Sequence, residues 1–255
     1  MNTNRQASAV MPSPRKTAIV VGMLYLITHV TSIVAGFLYG RILNDSAYII
    51  ESGPDTQVLV AAFLEVILVI AIVGTGAVLY PFLKRQNEGV ALSYLSLRTF
   101  EAVILAAGVI PLLVIVTLRQ QLAGTAGVDP TTLVPLGQSL VSFHNWTAMF
   151  GPNFIYGTHT VLLAYLLYKS RLVPRFIPVL CLIGGPAVFI IGTAKMFGII
   201  SEPSVWALLA AAAAFSWELS LALRMIIKGF NRAAPGSAPA SEPAASATNE
   251  RLSAA

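Results

Sequence analysis

Six apolar stretches, each about as long as a bilayer is thick when wound as a helix, divide this chain between residues 17 and 227. They run from about Thr17 to Tyr39, Gln57 to Leu83, Gly89 to Leu118, Trp146 to Tyr168, Phe176 to Ile200 and Pro203 to Ile227. A helix needs roughly 20 residues to cross a hydrocarbon core of about 30 Å. A soluble fold is the alternative, and composition argues against it. Of 255 residues 56% are hydrophobic and 11% charged, where soluble domains hold about 25% charged. Mean hydropathy is +0.76. The expected fold is therefore all-α: a polytopic integral membrane protein with six transmembrane helices over residues 15–230. The polar stretch 1–14 and the Ala, Ser and Pro-rich stretch 231–255 read as disordered tails, too poor in apolar residues to build a core.

Basic residues set the expected orientation. On one side of the spans fall Arg5, Arg15, Lys16, Lys84, Arg85, Lys169, Arg171, Arg175, Lys228, Arg232 and Arg251, and on the other only Arg41 and Arg119. The side rich in Lys and Arg stays in the cytoplasm, so both termini are expected inside a cell membrane. Asp45, Glu51, Asp55 and Asp129 then lie in outer loops. The same placement explains the net charge of +5 without nucleic acid, because the cations sit at the ends of apolar runs. The lipid bilayer is the partner this composition demands. Arg15 and Lys16 precede a run too long for a signal sequence, which reads as an uncleaved first span. Cys181 is the single cysteine, so a disulfide framework is excluded. The segment Arg119 to Val141, with Gly124, Gly127, Asp129-Pro130 and Pro135, reads as an outer loop with room for a short interfacial helix. Gly151-Pro152 falls in the fourth span, and Gly184-Gly185-Pro186 is expected to interrupt the fifth.

Ionisable residues inside the spans are the candidates for function: His29, Glu65, Arg98, Glu101, His159, Lys195 and Glu218. At 1.5 Å per residue all but Lys195 fall about 13–18 Å from the inner ends of their helices, in one layer near the bilayer centre. Lys195 is close enough to the outer surface to snorkel. An ionised side chain at mid-depth costs roughly 2.5–3.5 kcal/mol on insertion scales, so these groups should face one another. Arg98 and Glu101 are three apart and share a helix face with Tyr94 and Leu105. On the first span Gly22, Tyr25, His29, Ser32, Gly36 and Tyr39 form a small-and-polar stripe, as on a face buried against other helices. Gly36 and Gly40 also give the GxxxG spacing.

One arginine against three glutamates leaves an excess of negative charge. At least one Glu is then expected to be protonated or one His charged, which makes the layer a candidate proton or ligand site. The structural reading, an Arg–Glu pair that only fixes helix packing, stands beside it. No metal site is expected from His29, His159 and the glutamates, since nothing matches a His-Glu-x-x-His spacing. No cofactor is expected either: the chain has no Walker loop, dinucleotide fingerprint or serine nucleophile elbow.

Several segments recur together in a recognisable order. They are Leu64-Glu65, Leu83-Lys84 with Asn87-Glu88-Gly89 and Ala91-Leu92, and Arg98-x-x-Glu101-Ala102. Asn145-Trp146-Thr147 with Gly151-Pro152 follows, then the run Tyr165 to Arg175 (Tyr-Leu-Leu-Tyr-Lys-Ser-Arg-Leu-Val-Pro-Arg), and last Glu218 with Lys228-Gly229-Phe230. Across about residues 15 to 230 the chain resembles the bacterial membrane-protein family known as domain of unknown function 4386. The resemblance implies a bacterial cytoplasmic membrane and a six-helix fold, and carries no established activity. Three functions remain open at this point. The first is a small transporter or ligand-binding membrane protein that uses the polar layer. The second is an intramembrane enzyme for a lipid or small hydrophobic substrate, with Glu101 or Glu65 as acid or base and Arg98 holding an anionic group. The third is an accessory subunit whose small-residue helix faces bind another membrane protein.

Overall fold

The computed structural model describes residues 13–51, 53–122, 129–201 and 204–231, and within them every regular element is helical. The expected tails lie outside the described residues except for residues 13, 14 and 231. Helix α1 (Pro14–Leu38) opens on a proline, whose missing N–H costs nothing in a first turn. A short α2 (Gly40–Asn44) follows, then α3 (Thr56–Leu83) and α4 (Glu88–Leu122). Between the last two, Asn87 Oδ1 accepts from the Val90 N–H at 3.0 Å and caps the new helix. Helix α5 (Pro130–Met149) passes through a π-helical turn, Phe150–Ile155, straight into α6 (Tyr156–Ser170). Helices α7 (Phe176–Met196) and α8 (Val205–Ile227) complete the chain.

Two expectations need correction here. The segment 119–141 is not mainly loop: α4 runs on to Leu122, and α5 begins at Pro130, with Asp129 accepting from the Thr131 N–H at 2.9 Å. Gly184-Gly185-Pro186 does not interrupt α7, which continues through it. The glycines serve packing instead. A Cβ built on Gly157 of α6 would stand 2.8 Å from the Gly185 carbonyl of α7, so only hydrogen lets these backbones meet. Gly151-Pro152, by contrast, does break the α pattern, and the π turn absorbs the missing N–H.

The helices close a ring. Helix α1 packs on α3 and α8, α3 on α4, α4 on α5 and α6, α6 on α7, and α7 on α8. The N-terminus of α1 and the C-terminus of α8 share one end, here called proximal, where Arg15 donates to the Ile226 carbonyl at 2.8 Å. The 171–175 turn belongs to that end too. Arg171 adopts φ 55°, a left-handed conformation that costs a non-glycine residue about 1–2 kcal/mol. Asn231 holds it, donating from its side chain to the Arg171 carbonyl at 2.7 Å and from its backbone to Leu172 at 2.8 Å. At the distal end a clasp gathers the 45–55 segment. Arg119 pairs with Asp55, donates to the Glu51 carbonyl at 2.9 Å and lies 3.9 Å over the Tyr48 ring. Burial and the hydrogen bond to Asp55 push the Tyr48 phenol up from its ordinary range.

The proximal half is densely filled by Val21, Tyr25, Leu79, Tyr94, Leu163, Leu167, Trp217, Leu221 and their neighbours. Outward faces carry Val30, Phe63, Ile70, Ile110, Ile190 and Leu208, all well exposed. An apolar belt of that extent belongs in lipid, not water. Five helices, α1, α3, α4, α7 and α8, are long and apolar enough to cross a membrane. The chain is a membrane-embedded helical protein.

Candidate functional site

Above the dense proximal core the ring opens into a cavity of about 540 Å³. His29, Glu65, Arg98, Glu101 and Glu218 line it, with Lys195 among the residues nearer the distal end. His159 stands just behind the wall. These side chains form three separate groups.

The first group is at the floor. Arg98, 3% exposed, donates from Nη1 to Glu101 Oε2 at 2.9 Å and from Nε to Thr75 Oγ1 at 3.1 Å. Its guanidinium also sits 5.7 Å from the centre of the Tyr25 ring. His159 Nε2 lies 2.8 Å from the same Glu101 oxygen. Since Glu101 Oε2 accepts from both, the imidazole carries its proton on Nε2. Its Nδ1 has no hydrogen-bond partner among the described residues, and this tautomer leaves there a lone pair and not an orphaned N–H. The rings of Tyr94 and Tyr156 stand edge-on to His159 at 5.7 and 5.4 Å, so water is kept out. The triad thus meets on one oxygen, Glu101 Oε2.

The second group joins α1 to α8. His29 Nδ1 is 2.7 Å from the Tyr25 carbonyl oxygen, which can only accept, so Nδ1 bears a hydrogen. Its Nε2 is 3.2 Å from Glu218 Oε2. The two side chains thus meet on the cavity wall, where the Tyr156 hydroxyl also bonds Glu218. Beside it, Trp217 Nε1 donates to the Tyr156 hydroxyl at 3.0 Å and fixes that ring against the floor.

The third group is Glu65, which accepts from the Tyr39 hydroxyl at 2.9 Å. It stands apart from Arg98. The layer inferred from depth is thus a ring of groups around one space, in which Arg98 is paired with Glu101 alone.

Sequence reasoning missed three residues. His144, placed in the outer loop by the late start assigned to the fourth span, is buried, with Nδ1 2.8 Å from the Gly108 carbonyl and its ring 5.6 Å from Tyr39. Arg119, counted as a loop cation, is buried in the distal clasp. Arg224 bonds Asn231 at 2.6 Å near the proximal end. The Asp129-Pro130 pair was the signal that would have found the first, as a capped helix start placing His144 well inside α5. The α1 stripe also divides: Gly22, Tyr25 and Tyr39 are buried, but Ser32 and Gly36 are exposed beside the cavity. A Cβ at Gly36 or Gly40 would meet nothing within 4 Å, so their GxxxG spacing is not a helix contact. Among the described residues no three His, Cys, Asp or Glu side chains gather in a metal-binding set.

Residues 20–229 match the family model described as "Domain of unknown function (DUF4386)". The chain belongs to that family. No curated protein and no solved structure matches it. Within the matched residues, the run Tyr165–Arg175 forms the end of α6 and the proximal turn that Asn231 holds, with Leu172 and Val173 buried, and Arg98 with Glu101 forms the cavity floor.

Proposed function

We propose that this protein binds a small molecule within the membrane, as a small transporter or ligand-binding membrane protein, and that it is not an enzyme. In this reading the helical run 130–170 is a sixth span, and the cytoplasmic membrane of a bacterium holds the chain with both termini inside. The Lys/Arg asymmetry supports that orientation, which turns the cavity toward the outside.

The observation that carries the proposal is the cavity itself. A role confined to helix packing needs the Arg98–Glu101–His159 triad and nothing more. Yet Glu65 and Glu218 stand on the wall of about 540 Å³ of space, a size typical of small-molecule sites, which run from about 300 to 1,000 Å³. Ionisable residues at that depth are costly, and a ligand or proton pathway is their usual justification. The contact of His29 with Glu218 supports the proposal too: a ligand that engages Glu218 meets the α1–α8 contact directly. The enzyme reading is narrower, because Arg98 and His159 already engage Glu101 and leave Glu65 as its acid or base.

Native mass spectrometry of the full chain, released from mildly solubilised membranes, tests this. The expected result is a retained small molecule, lost in Glu65→Gln or Glu218→Gln. A chain that carries no small molecule but holds a second membrane protein in fixed stoichiometry would favour the accessory role instead.

A further inference from the structure

We infer that the ligand is a membrane-soluble amphiphile with an amine head, and that it reaches the cavity sideways through a gap between α1 and α8 in the distal half of the bundle. This rests on the ligand-binding reading above and adds the ligand's class and its route.

The route comes from how α1 and α8 diverge. At their proximal ends they touch backbone to backbone: a Cβ on Gly22 would stand 2.6 Å from the Ala222 carbonyl. Farther along, Tyr25 meets Trp217 with ring centres 6.1 Å apart, and His29 meets Phe215 at 4.9 Å. Beyond His29 the helices splay. Ser32, Ile33 and Gly36 of α1 line the cavity and are exposed, and so are Ala211 and Phe215 of α8. The open space around Gly36 lies about 10 Å above His29 along the helix. It is flanked by Phe37, 83% exposed, which marks this as a lipid-facing surface. The cavity is therefore continuous with the hydrocarbon through an opening framed mostly by apolar side chains. A bare hydrophilic ion crosses such an opening poorly, whereas a tail left in the opening costs nothing.

The head group follows from hydrogen-bond accounting. An ionised carboxylate offers about four acceptor sites. Glu101 Oε2 is occupied by Arg98 and His159, while Glu65 accepts from the Tyr39 hydroxyl and Glu218 from the Tyr156 hydroxyl with His29 beside it. Both retain acceptor capacity toward the cavity. Arg98, the cation at the floor, spends Nε on Thr75 and Nη1 on Glu101 and stacks on the Tyr25 ring, so only its Nη2 is left to set against the two carboxylates of the wall. Lys195 lies at the distal end of α7, about 20 Å along the bundle axis from the level of Glu218. The floor and middle wall thus present acceptors to a donor. A protonated amine satisfies either carboxylate.

The test uses the full chain in phosphatidylcholine nanodiscs with radiolabelled dodecylamine, and dodecanoate and butylamine as comparison probes. Dodecylamine should bind saturably at one site, with dodecanoate and butylamine each weaker by roughly tenfold or more. Glu65→Gln and Glu218→Gln, which keep size and shape, should weaken dodecylamine by roughly 10–100-fold, the loss of one charge-assisted hydrogen bond. Gly36→Phe places a ring in open space, leaves folding intact, and should slow dodecylamine association on the order of tenfold. Equal binding of dodecanoate overturns the amine head, and equal binding of butylamine overturns the tail. Unchanged association in Gly36→Phe overturns the lateral route. If native mass spectrometry finds a different molecule retained and dodecylamine does not bind, the present inference falls while the ligand-binding reading stands. If no molecule is retained and no probe binds, both fall.

Discussion

Replacing Arg98 with Met tests whether the cavity floor is held by its charges. The side chain is nearly as long as Arg, so the volume is largely kept, but the bonds to Glu101 at 2.9 Å and to Thr75 at 3.1 Å are lost. Thr75 survives this, since its hydroxyl already donates to the Ile72 carbonyl at 2.7 Å. Glu101 does not. It keeps only His159 in a buried setting, and removing one member of a buried ion pair costs about 3–5 kcal/mol. Adding Glu101→Gln removes the orphaned charge while its amide oxygen still accepts from His159 Nε2. What remains is the loss of a neutral hydrogen bond, about 1 kcal/mol. The double variant should therefore regain about 2–4 kcal/mol over the single one. For a chain of this size that is a recovery of roughly 5–15 °C in melting temperature. The assay is thermal unfolding in mild detergent followed by intrinsic tryptophan fluorescence, with Trp217 adjoining the floor. A double variant that melts no higher than Arg98→Met would refute the electrostatic account.

Three further outcomes are expected. Cysteines introduced beside Asp45 or Asp129 should react with an impermeant thiol reagent from outside intact cells, and those beside Asn87 or Ser170 only after the membrane is opened; external labelling at Asn87 would reverse the orientation. Gly22→Ala should destabilise by about 1–3 kcal/mol, because its Cβ meets the Ala222 backbone, whereas Gly36→Ala should be close to neutral in the same unfolding assay. Hydrogen bonds from the Thr131 side chain and backbone hold the Asp129 carboxyl below its usual range; its support for the start of α5 should be complete above about pH 4 and fade as pH falls through the lowered value, read as faster amide exchange in the first turn.

The long helices were legible because hydropathy and length are one-dimensional. Span limits read from the sequence fall within a few residues of α1, α3, α4, α7 and α8. The start of the fourth rod was not, because Gly124, Gly127, Pro130 and Pro135 resemble a loop by composition while Asp129-Pro130 is a helix start by mechanism. Of the residues expected at one level, His29, Glu65, Arg98, Glu101 and Glu218 line one cavity, while His159 bonds Glu101 behind it. Azimuth was not readable. Sequence position says how far Glu65 lies from a helix end, but not that its carboxylate turns toward Tyr39 and away from Arg98. The splay of α1 from α8 was hidden for a related reason. A stripe of small residues lets helices approach, and whether they do depends on what lies opposite: Ala222 opposite Gly22, but open space opposite Gly36.

The distribution of partners across the polar groups follows the boundary between the two halves of the bundle. Where the proximal packing ends stands the one ion pair between two fully charged side chains that the cavity floor holds. Arg98 and Glu101 are buried and satisfy each other, with Thr75 and His159 taking up further sites. A charge so placed survives only when its lone pairs and hydrogens are nearly all taken. Glu65 and Glu218 also line the cavity, Glu65 beside the Tyr39 hydroxyl and Glu218 beside His29. An arrangement selected only to lock helices together would place the incompletely bonded carboxylates where a neighbouring helix could satisfy them. Here they face the cavity instead, on helices α3 and α8, which do not pack directly against each other in the ring. Each also ties its helix to α1, through Tyr39 and through His29, so in the proposed reading the ligand takes only the acceptor sites that those contacts leave open.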